Sequence, residues 1–517
     1  MTTTSESVFS IELQACFNEL KKHSLSYKLG SGQQTVGGDE VENPLDKQFS
    51  IILSKIDEIF DKTPKESEEY LKILSMKASI IYEKAKILLS ESLLVPSKKN
   101  LEEALELIKY FWNDPKVAFL YMRIVNHLTY VLSRLGELEQ AEELLLKAIE
   151  EGDKCSPEVF STDDLFLNTK KNPSVCLSKL SRLTLNNMHM LSWIYAKLGE
   201  TSKNIKMQHD ILQKQFDFGE SDVIRWAESC YRLAGMFITE KDWENTRYHL
   251  AAAESVLNPL EVSLAPNPEI YAVQADLARS WVFYGLQLFN YSRSPAIINP
   301  DIESSSTDIL LENKPTKDAE KPLLTFQGMQ IEIPVVPTSR IENLQQAKIL
   351  FSVIHKWVKR ARLYYTLRDF PLQYVNLCLD LSELYRFVSL FEEDIESQYA
   401  VQKKRYDTLE TLSNILKEVR PNCYLAVNIE LTKEIIEVQM EMMNLNLKRL
   451  HVPSPTAKVN SKEEVLVRKV NALKEVSGKL ESLSSSLNSD INVEKIEIPE
   501  MNVDLDDKKT EKKGLED

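Results

Sequence analysis

A helical hairpin pattern between residues 117 and 151 constrains the fold of this chain more than any other feature of its sequence. Two stretches of helical periodicity meet there at Leu135 and Gly136. Their spaced apolar residues are Val125, Leu128 and Leu132 before the turn, and Ala141, Leu145 and Ala148 after it. The small side chains after the turn let two antiparallel helices approach closely. Such a hairpin cannot bury its apolar face alone, so the pattern predicts that further hairpins stack against it.

Similar hairpins follow along the chain, and together they predict an all-α fold. One spans residues 185–216, a second spans 222–257, and a third begins near residue 267. Their spacing departs from the period of about 34 residues found in a regular tetratricopeptide array. The chain has only 13 Gly among 517 residues, which disfavours sheet-rich folds and suits long helices joined by short turns. We therefore expect an irregular, tetratricopeptide-like helical solenoid.

Breaks in the helical pattern divide the chain into five predicted regions. Six Pro and a Ser-Ser-Ser-Thr run lie between residues 290 and 340, which predicts a linker or long loop without packed elements. From Glu481 onward, eleven Asp and Glu stand against five Lys, which predicts a disordered acidic end. The predicted regions are an N-terminal helix and flexible loop (1–46), an N-terminal helical-repeat lobe (47–289) with an insertion at 151–180, the linker (290–340), a C-terminal helical lobe (341–488) and an acidic disordered tail (489–517).

The net charge of −15 disfavours several classes of partner. Nucleic acids and anionic membrane surfaces require clustered Lys and Arg, so neither is expected to bind. None of the six Cys forms a C-x-x-C pair, which is typical of buried thiols in a reducing compartment. The sequence shows no signal peptide and no apolar run of about 18 residues. We therefore expect a cytoplasmic protein without a membrane span.

No residue pattern indicates catalysis, a metal site or a cofactor site. The glycines at 30–38 lack the Lys-Ser/Thr pair and the preceding strand of a phosphate-binding loop, so a flexible loop is predicted there. The seven His make no zinc spacing, and His209 and His249 are interpreted as helical core residues. The acidic group at 392–394 is interpreted as surrounding a helix N-terminus, where the helix dipole favours negative charge. We therefore expect a protein that is not an enzyme.

Two further features are open to more than one interpretation. At helical spacing a Trp is more often a core residue, although aromatic residues on the concave face of a solenoid are typical interface anchors. The six Trp are Trp112, Trp193, Trp226, Trp243, Trp281 and Trp357. The basic cluster Lys403-Lys404-Arg405 is interpreted as a solvated helix face.

Ordered motifs from residue 187 onward carry a resemblance to one protein family. In the first half they are Asn187 through Tyr195, His209-x-x-Leu212-x-x-Gln215, Ile224-x-Trp226-Ala227, Arg247-x-x-Leu250-x-Ala252-Ala253 and Ala278-Arg279-x-Trp281. In the second half they are Phe391-Glu392-x-Asp394-x-Glu396, Lys403-x-Arg405, Tyr424-Leu425-x-Val427-Asn428 and Met442-Met443-x-Leu445. In this order they resemble the kinesin-binding proteins, which are helical-repeat proteins that bind kinesin motor domains and prevent their attachment to microtubules.

The resemblance implies a right-handed helical solenoid in two lobes, with a concave groove that embraces the motor. It also implies a cytoskeleton-associated protein that is linked to microtubules through the motor and acts in axonal microtubule organisation and transport. Because kinesin motors dock on acidic tubulin through a basic face, an acidic groove would compete with tubulin for the motor.

The resemblance further implies a set of protein-binding residues. In the family, motor contact is associated with the helices that align here with residues 186–232. Gln215 matches the family's residue, whereas Met190, Trp193 and Arg232 stand where the family has Tyr, Gln and Thr. These four are the candidate site residues, and the three differences leave the preferred motor open.

A generic tetratricopeptide-type adaptor or co-chaperone that captures a peptide is the alternative. It requires a clamp of Lys, Arg and Asn facing the groove in regular repeats, and the irregular repeats here show no such clamp. A positively charged groove in the structure would favour this alternative. An enzyme would require a pocket of converging groups with perturbed pKa values, and nothing in the sequence indicates one.

Overall fold

The computed structural model is predominantly α-helical in the part of the chain that it describes, as the sequence predicts. It describes residues 44–67, 69–152, 154, 173–219, 222–261, 268–293, 322–419 and 425–451, with the single positions 471, 474, 478 and 481. Fourteen α-helices and no strand occupy these described ranges. In chain order they are α1 (Pro44–Lys62), α2 (Tyr70–Ser90), α3 (Leu94–Ile108), α4 (Ala118–Leu135), α5 (Leu138–Gly152), α6 (Pro173–Leu198), α7 (Thr201–Phe218), α8 (Val223–Thr239), α9 (Trp243–Glu261), α10 (Pro268–Ser292), α11 (Leu344–Tyr364), α12 (Pro371–Phe391), α13 (Ile395–Val419) and α14 (Leu425–His451).

The predicted hairpin at residues 117–151 is formed by α4 and α5. Gly136 ends α4 in the left-handed conformation with a φ of 84°, which a residue without a Cβ adopts readily. The Glu137 N–H then donates to the Leu132 carbonyl at 2.9 Å and closes the turn. The buried residues of α5 are Ala141, Leu145, Ala148 and Glu151. The small side chains therefore lie against the neighbouring helices, as predicted.

Two later hairpins close with the same backbone geometry. Between α6 and α7, Gly199 has a φ of 75°, and the Glu200 N–H donates to the Tyr195 carbonyl at 2.9 Å. Between α8 and α9, the left-handed position is taken by Lys241 with a φ of 55°. A left-handed conformation is uncommon for a residue with a Cβ, so this turn carries no glycine signal in the sequence.

Contacts between helices divide the chain into two compact units. Unit 1 contains Met1–Pro266 with Pro315–Ile333, and unit 2 contains Asn267–Lys314 with Pro334–Asp517. Within each unit, every helix contacts the next helix along the chain. Helices two positions apart also touch, namely α2 with α4, α4 with α6, and α10 with α12. This contact pattern is typical of stacked helical hairpins.

Helix α10 lies in unit 2, although the sequence analysis grouped residues up to 289 with the N-terminal lobe. Its close approach to α11 depends on Gly285, because an added Cβ there would lie 2.9 Å from the Cδ1 of Ile354. The rings of Trp281 on α10 and Trp357 on α11 stack with a centroid distance of 5.7 Å. These contacts join α10 to the helices that follow it.

Residues 322–329, called the strap below, belong to unit 1 and pack against its helices α7 and α9. The sequence predicted a linker or long loop without packed elements in this region. Three main-chain N–H groups of the strap donate to side chains of α7 and α9: Leu324 to the Asn245 Oδ1 at 2.8 Å, Phe326 to the Tyr248 hydroxyl at 2.7 Å, and Gln327 to the Gln213 Oε1 at 2.7 Å. The Phe326 side chain is 3% exposed. The helices therefore supply the hydrogen bonds that a strand partner would otherwise provide.

The basic cluster at residues 403–405 is divided between the surface and the core of unit 2. Lys403 and Lys404 are exposed, but Arg405 is fully buried. Its Nη1 donates to Glu441 at 3.0 Å, and its Nη2 donates to Glu434, which joins α13 to α14. The interpretation as a solvated face is therefore wrong for Arg405, because burial of a guanidinium is tolerated when carboxylates pair with it.

The acidic group at residues 392–394 lies at the start of α13, as the sequence analysis predicted. The Asp394 Oδ2 accepts hydrogen bonds from the Ser397 N–H and hydroxyl, each at 2.9 Å. These hydrogen bonds hold the pKa of the Asp394 carboxyl below its usual value.

Several predicted regions lie outside the described residues. They are the helix and loop before residue 44, most of the insertion at 151–180, the part of the predicted C-terminal lobe after residue 451 apart from four single positions, and the acidic tail.

Candidate protein-binding site

Trp193 differs from the other tryptophans of the helical body in being exposed. Its side chain is 44% exposed. The tryptophans that are buried, as the core interpretation predicted, are Trp226, Trp243, Trp281 and Trp357. The Nζ of Lys197 lies 5.5 Å from the centroid of the Trp193 ring, which is a cation–π contact. An exposed Trp beside a cation is typical of a protein-interface anchor.

Met190 lies one turn before Trp193 on α6 and is partly buried. Its Sδ accepts a hydrogen bond from the Thr129 hydroxyl of α4 at 3.1 Å. The Met190 side chain also packs against the main hydrophobic cluster of unit 1. It therefore connects α6 to α4 and leaves only part of its surface for a partner.

The remaining two candidates lie on other helices. Gln215 is half-buried on α7, and Arg232 is exposed on α8. The Arg232 guanidinium lies 3.9 Å from the Glu228 carboxylate. Among the described residues, no hydrogen bond or ion pair joins Gln215 or Arg232 to the α6 pair. The structure therefore places Met190 and Trp193 one turn apart on α6, whereas Gln215 and Arg232 lie on α7 and α8.

The alignment of α4 with α6 determines which residues neighbour Trp193. The Asn126 Nδ2 donates to the Asn187 Oδ1 at 3.0 Å, and Thr129 bonds to Met190 three residues later on both helices. Both pairs are separated by 61 residues, so the two helices run parallel in a constant register. Position 130 of α4 therefore lies level with position 191 of α6.

The outward side chains of these two helices form a continuous surface, called the α4–α6 face below. They recur at spacings of three or four residues, which places them on one side of each helix. They are Phe119, Arg123, His127, Tyr130 and Arg134 on α4, and Lys179, Arg182, Asn186, His189, Trp193 and Lys197 on α6. Two exposed aromatic side chains, Tyr130 and Trp193, thus lie towards the C-terminal ends of the two helices, and each is followed one turn later by a cation, Arg134 or Lys197.

The α4–α6 face is cationic, although the whole chain is acidic. Helices α4 and α6 together contain five Lys and Arg and no Asp or Glu. Helix α5, which lies between them in the sequence, contains five Glu and one Lys. The acidic groove expected from the net charge of −15 is therefore not found on these two helices. Positive and negative charges are instead segregated onto different helices.

Aromatic rings hold the cation at one end of the face. The Arg123 guanidinium lies 5.2 Å from the ring centroid of Tyr82 on α2 and 5.8 Å from that of Phe119. The Tyr82 hydroxyl lies 3.1 Å from the Nδ1 of His127. Burial lowers the pKa of His127 to about 4, so this imidazole is neutral at pH 7. The positive charge of the face therefore comes from Arg and Lys.

Tyr130, Arg134 and Lys197 were not among the site residues predicted from the sequence. A signal was present, because the absence of Asp and Glu from residues 118–135 and 173–198 can be read from the sequence. That signal becomes meaningful only when the two helices are known to lie side by side.

The buried histidines of unit 1, His209 and His249, contact each other and an aromatic ring. The His209 Nδ1 lies 3.0 Å from the His249 Nε2, and the Phe326 ring of the strap stacks on His209 with a centroid distance of 4.6 Å. Within the described ranges, no group of three or more His, Cys, Asp or Glu could hold a metal ion. No helix of the described part has the length and apolar character needed to cross a membrane.

Proteins named KIF-binding protein are similar to a large part of this chain. A KIF-binding protein from Drosophila melanogaster is 29% identical over 62% of this chain and 57% of its own length. A KIF-binding protein from Xenopus tropicalis is 24% identical over 68% of this chain and 61% of its own length. The chain therefore spans less than two thirds of the length of these relatives.

A solved structure and a family model match the chain as well. The structure, titled kinesin binding protein (KBP), has a TM-score of 0.54 and 15% identity, and the match covers 91% of this chain and 82% of that chain. That similarity shows a shared fold. The family model described as KIF-1 binding protein C terminal matches residues 224–497, which is more than half of the 517 residues. This chain therefore belongs to the family described by the KIF-1 binding protein C-terminal model.

Proposed function

We propose that this protein is a non-enzymatic regulator that binds kinesin motor domains and prevents their attachment to microtubules. Family membership supports the choice of partner, because the similar proteins carry the names KIF-binding protein and kinesin binding protein. The observation that carries the site is the exposed Trp193 beside Lys197 on α6. That helix lies in the segment that the family resemblance associates with motor contact.

Inhibition would follow from occupation of the motor surface that contacts the microtubule. A stable interface buries about 1,600 Å² in total, which is enough to exclude tubulin from the same surface. Because the α4–α6 face is cationic, this face would act by steric exclusion and not by resembling acidic tubulin. In a cell, the protein would regulate microtubule-based transport and axonal microtubule organisation from the cytoplasm.

A binding assay with a panel of purified kinesin motor domains tests the partner. Each motor domain is mixed with microtubules and increasing amounts of this protein, and the motor fraction in the microtubule pellet is measured. We expect at least one motor to bind and to leave the pellet in a dose-dependent manner. Failure to bind any motor of the panel would contradict the proposed partner, and binding without release from microtubules would contradict the proposed mechanism.

Substitutions at the candidate residues test the site. We expect Trp193→Ala with Gln215→Ala to weaken motor binding with little change in melting temperature, because Trp193 is exposed and Gln215 is half-buried. Tyr110→Ala is the matched control, since that aromatic side chain is 76% exposed and lies outside α4 and α6. Equal binding by the double variant and the control would exclude these residues from the interface.

The cationic α4–α6 face favours a second candidate function, that of an adaptor that captures an acidic peptide. Tetratricopeptide-type adaptors bind peptide carboxylates through cations that face the groove. Helices α4 and α6 provide such cations without intervening carboxylates.

A further inference from the structure

We propose that the α4–α6 face docks an acidic segment of a protein partner, with an apolar or aromatic side chain of that segment seated beside Tyr130 and Trp193. This inference rests on the proposed function in one respect, since it assumes that α6 contacts the partner. It goes further by assigning the contacting element of the partner a negative charge.

The first support is the availability of the cations on the face. Among the described residues, no carboxylate lies within salt-bridge distance of Arg134 or Lys197, and both side chains are exposed. Elsewhere in unit 1 a lysine such as Lys98 is paired, with its Nζ 2.6 Å from the Glu137 carboxylate. A guanidinium has five N–H donors in a fork that matches a carboxylate. The Arg134 and Lys197 side chains of the face can therefore donate hydrogen bonds to the carboxylates of a partner.

The second support is the position of the aromatic side chains among these cations. Tyr130 is 39% exposed and Trp193 is 44% exposed, and the register of α4 and α6 places them on neighbouring turns. The Arg134 Nη1 donates to the Tyr130 hydroxyl at 3.3 Å, while Lys197 lies against the Trp193 ring. Trp, Tyr and Arg are the residues most enriched among those that dominate binding energy. Exposed aromatic side chains next to cations on both helices fit a partner segment with one apolar anchor and adjacent carboxylates.

The helix dipole alone does not account for this arrangement. It does favour cations in the last turn, where Arg134 and Lys197 lie, by about 0.3–1 kcal/mol each. The same dipole favours Asp and Glu in the first turn, yet neither α4 nor α6 has an acidic residue there. A solvated face shaped by dipoles would carry both signs of charge. The lack of any carboxylate on either helix therefore points to a negatively charged ligand.

A protein segment fits this face better than a nucleic acid does. Five cations on two helices can neutralise only a few phosphates, whereas the net charge of −15 would repel the rest of an extended polyanion. Helix α5, which follows α4 directly, carries five Glu. A short acidic segment can satisfy the cations within the face and keep its other residues away from α5.

Charge reversal on the face tests the inference. The variant is Arg134→Glu/Lys197→Glu, and the matched control is Lys99→Glu/Lys147→Glu, which makes the same change in net charge at exposed positions of α3 and α5. The probes are the kinesin motor panel, a synthetic Glu-rich peptide with one central Phe, and a single-stranded oligonucleotide of similar charge. We expect the peptide to bind the unaltered protein more weakly as salt rises. We expect the face variant to lose about tenfold or more in affinity for the peptide, and the control to lose little.

Each outcome bears on the inference in a defined way. Parallel loss of peptide and motor binding supports it, as does retention of both by the conservative variant Arg134→Lys/Lys197→Arg. Peptide loss with unchanged motor binding also supports the acidic ligand, and it places the motor on another surface. Tighter motor binding after charge reversal would overturn the inference while leaving the proposed function intact. Absence of peptide binding at low salt, or preferential binding of the oligonucleotide, would also overturn it.

Discussion

The strap should be held to the neighbouring helices of unit 1 chiefly by Phe326, so Phe326→Ala should release it. The ring lies 4.6 Å from the ring of His209 and 5.2 Å from those of Trp226 and His249, measured between centroids. Only 3% of the residue is exposed. A side chain in such a setting contributes as a core residue does, although it belongs to a segment without helix or strand.

The size of the effect follows from the contacts that are lost. Burial of a Phe side chain contributes about 1.5–3 kcal/mol, and an aromatic pair adds about 0.5–1.5 kcal/mol. The three main-chain hydrogen bonds of the strap, at Leu324, Phe326 and Gln327, contribute about 0.5–1.5 kcal/mol each and can persist without the ring. We therefore expect Phe326→Ala to lower the free energy of strap opening by about 3 kcal/mol.

Hydrogen exchange at the three strap amides measures this opening directly. A loss of about 3 kcal/mol corresponds to exchange about 100-fold faster, since about 1.4 kcal/mol is a factor of ten. Val335→Ala is the control, because that side chain lies nearby in the chain and is 86% exposed. If Phe326→Ala accelerates exchange by less than about threefold, or no more than Val335→Ala does, the strap is held by its hydrogen bonds and the reasoning from ring burial is refuted.

Three further predictions concern the cores of the two units. Burial lowers the pKa of His209 to about 4 and that of His249 to about 3, so the unfolded chain takes up protons first as pH falls below about 6.5. The free energy of unfolding of unit 1 should therefore fall by about 1.4 kcal/mol per pH unit for each of these histidines as the pH drops from about 6.5 to 4. Urea unfolding at several pH values measures it, and a free energy that stays constant over this range would contradict the prediction. Arg405→Met should destabilise unit 2 by about 3–5 kcal/mol by leaving two carboxylates without their partner; an unchanged melting temperature would contradict this. Gly285→Ala should cost about 1–3 kcal/mol through overpacking, and adding Ile354→Val should restore part of the loss in a thermal melt.

The hairpins could be predicted from the sequence because their determinants are local. Gly136 ends α4, and the small residues that approach the neighbouring helices recur within the next turns of α5. The turn after α8 illustrates the limit of such signals, since Lys241 takes the left-handed conformation there with a φ of 55°. The bonds that stabilise that turn, such as Asp242 N–H to the Phe237 carbonyl, leave no mark in the composition.

The strap and Arg405 could not be predicted, because their partners lie far away in the sequence. Gln327 bonds to Gln213 across 114 residues, and Arg405 bonds to Glu441 across 36. Proline, serine and charged residues around a segment indicate a loop, and they do not reveal side-chain amides elsewhere that can bind its backbone. A run of three basic residues on a helix likewise gives no information on which of them faces a neighbouring helix.

The sign of charge at the contact face matters more for partner choice than the net charge of the chain. Screening at physiological salt limits electrostatic interactions to about 8 Å, so a docked partner responds mainly to the helices that it touches. The chain is acidic overall, with a net charge of −15, yet α4 and α6 carry no carboxylate. The net charge of the chain averages over helices of opposite sign, such as α4 and α5. Because α5 carries five Glu, it would repel the same acidic partner element that the α4–α6 face attracts. Attraction by α4 and α6 together with repulsion by α5 would therefore select the position of that element as well as its charge.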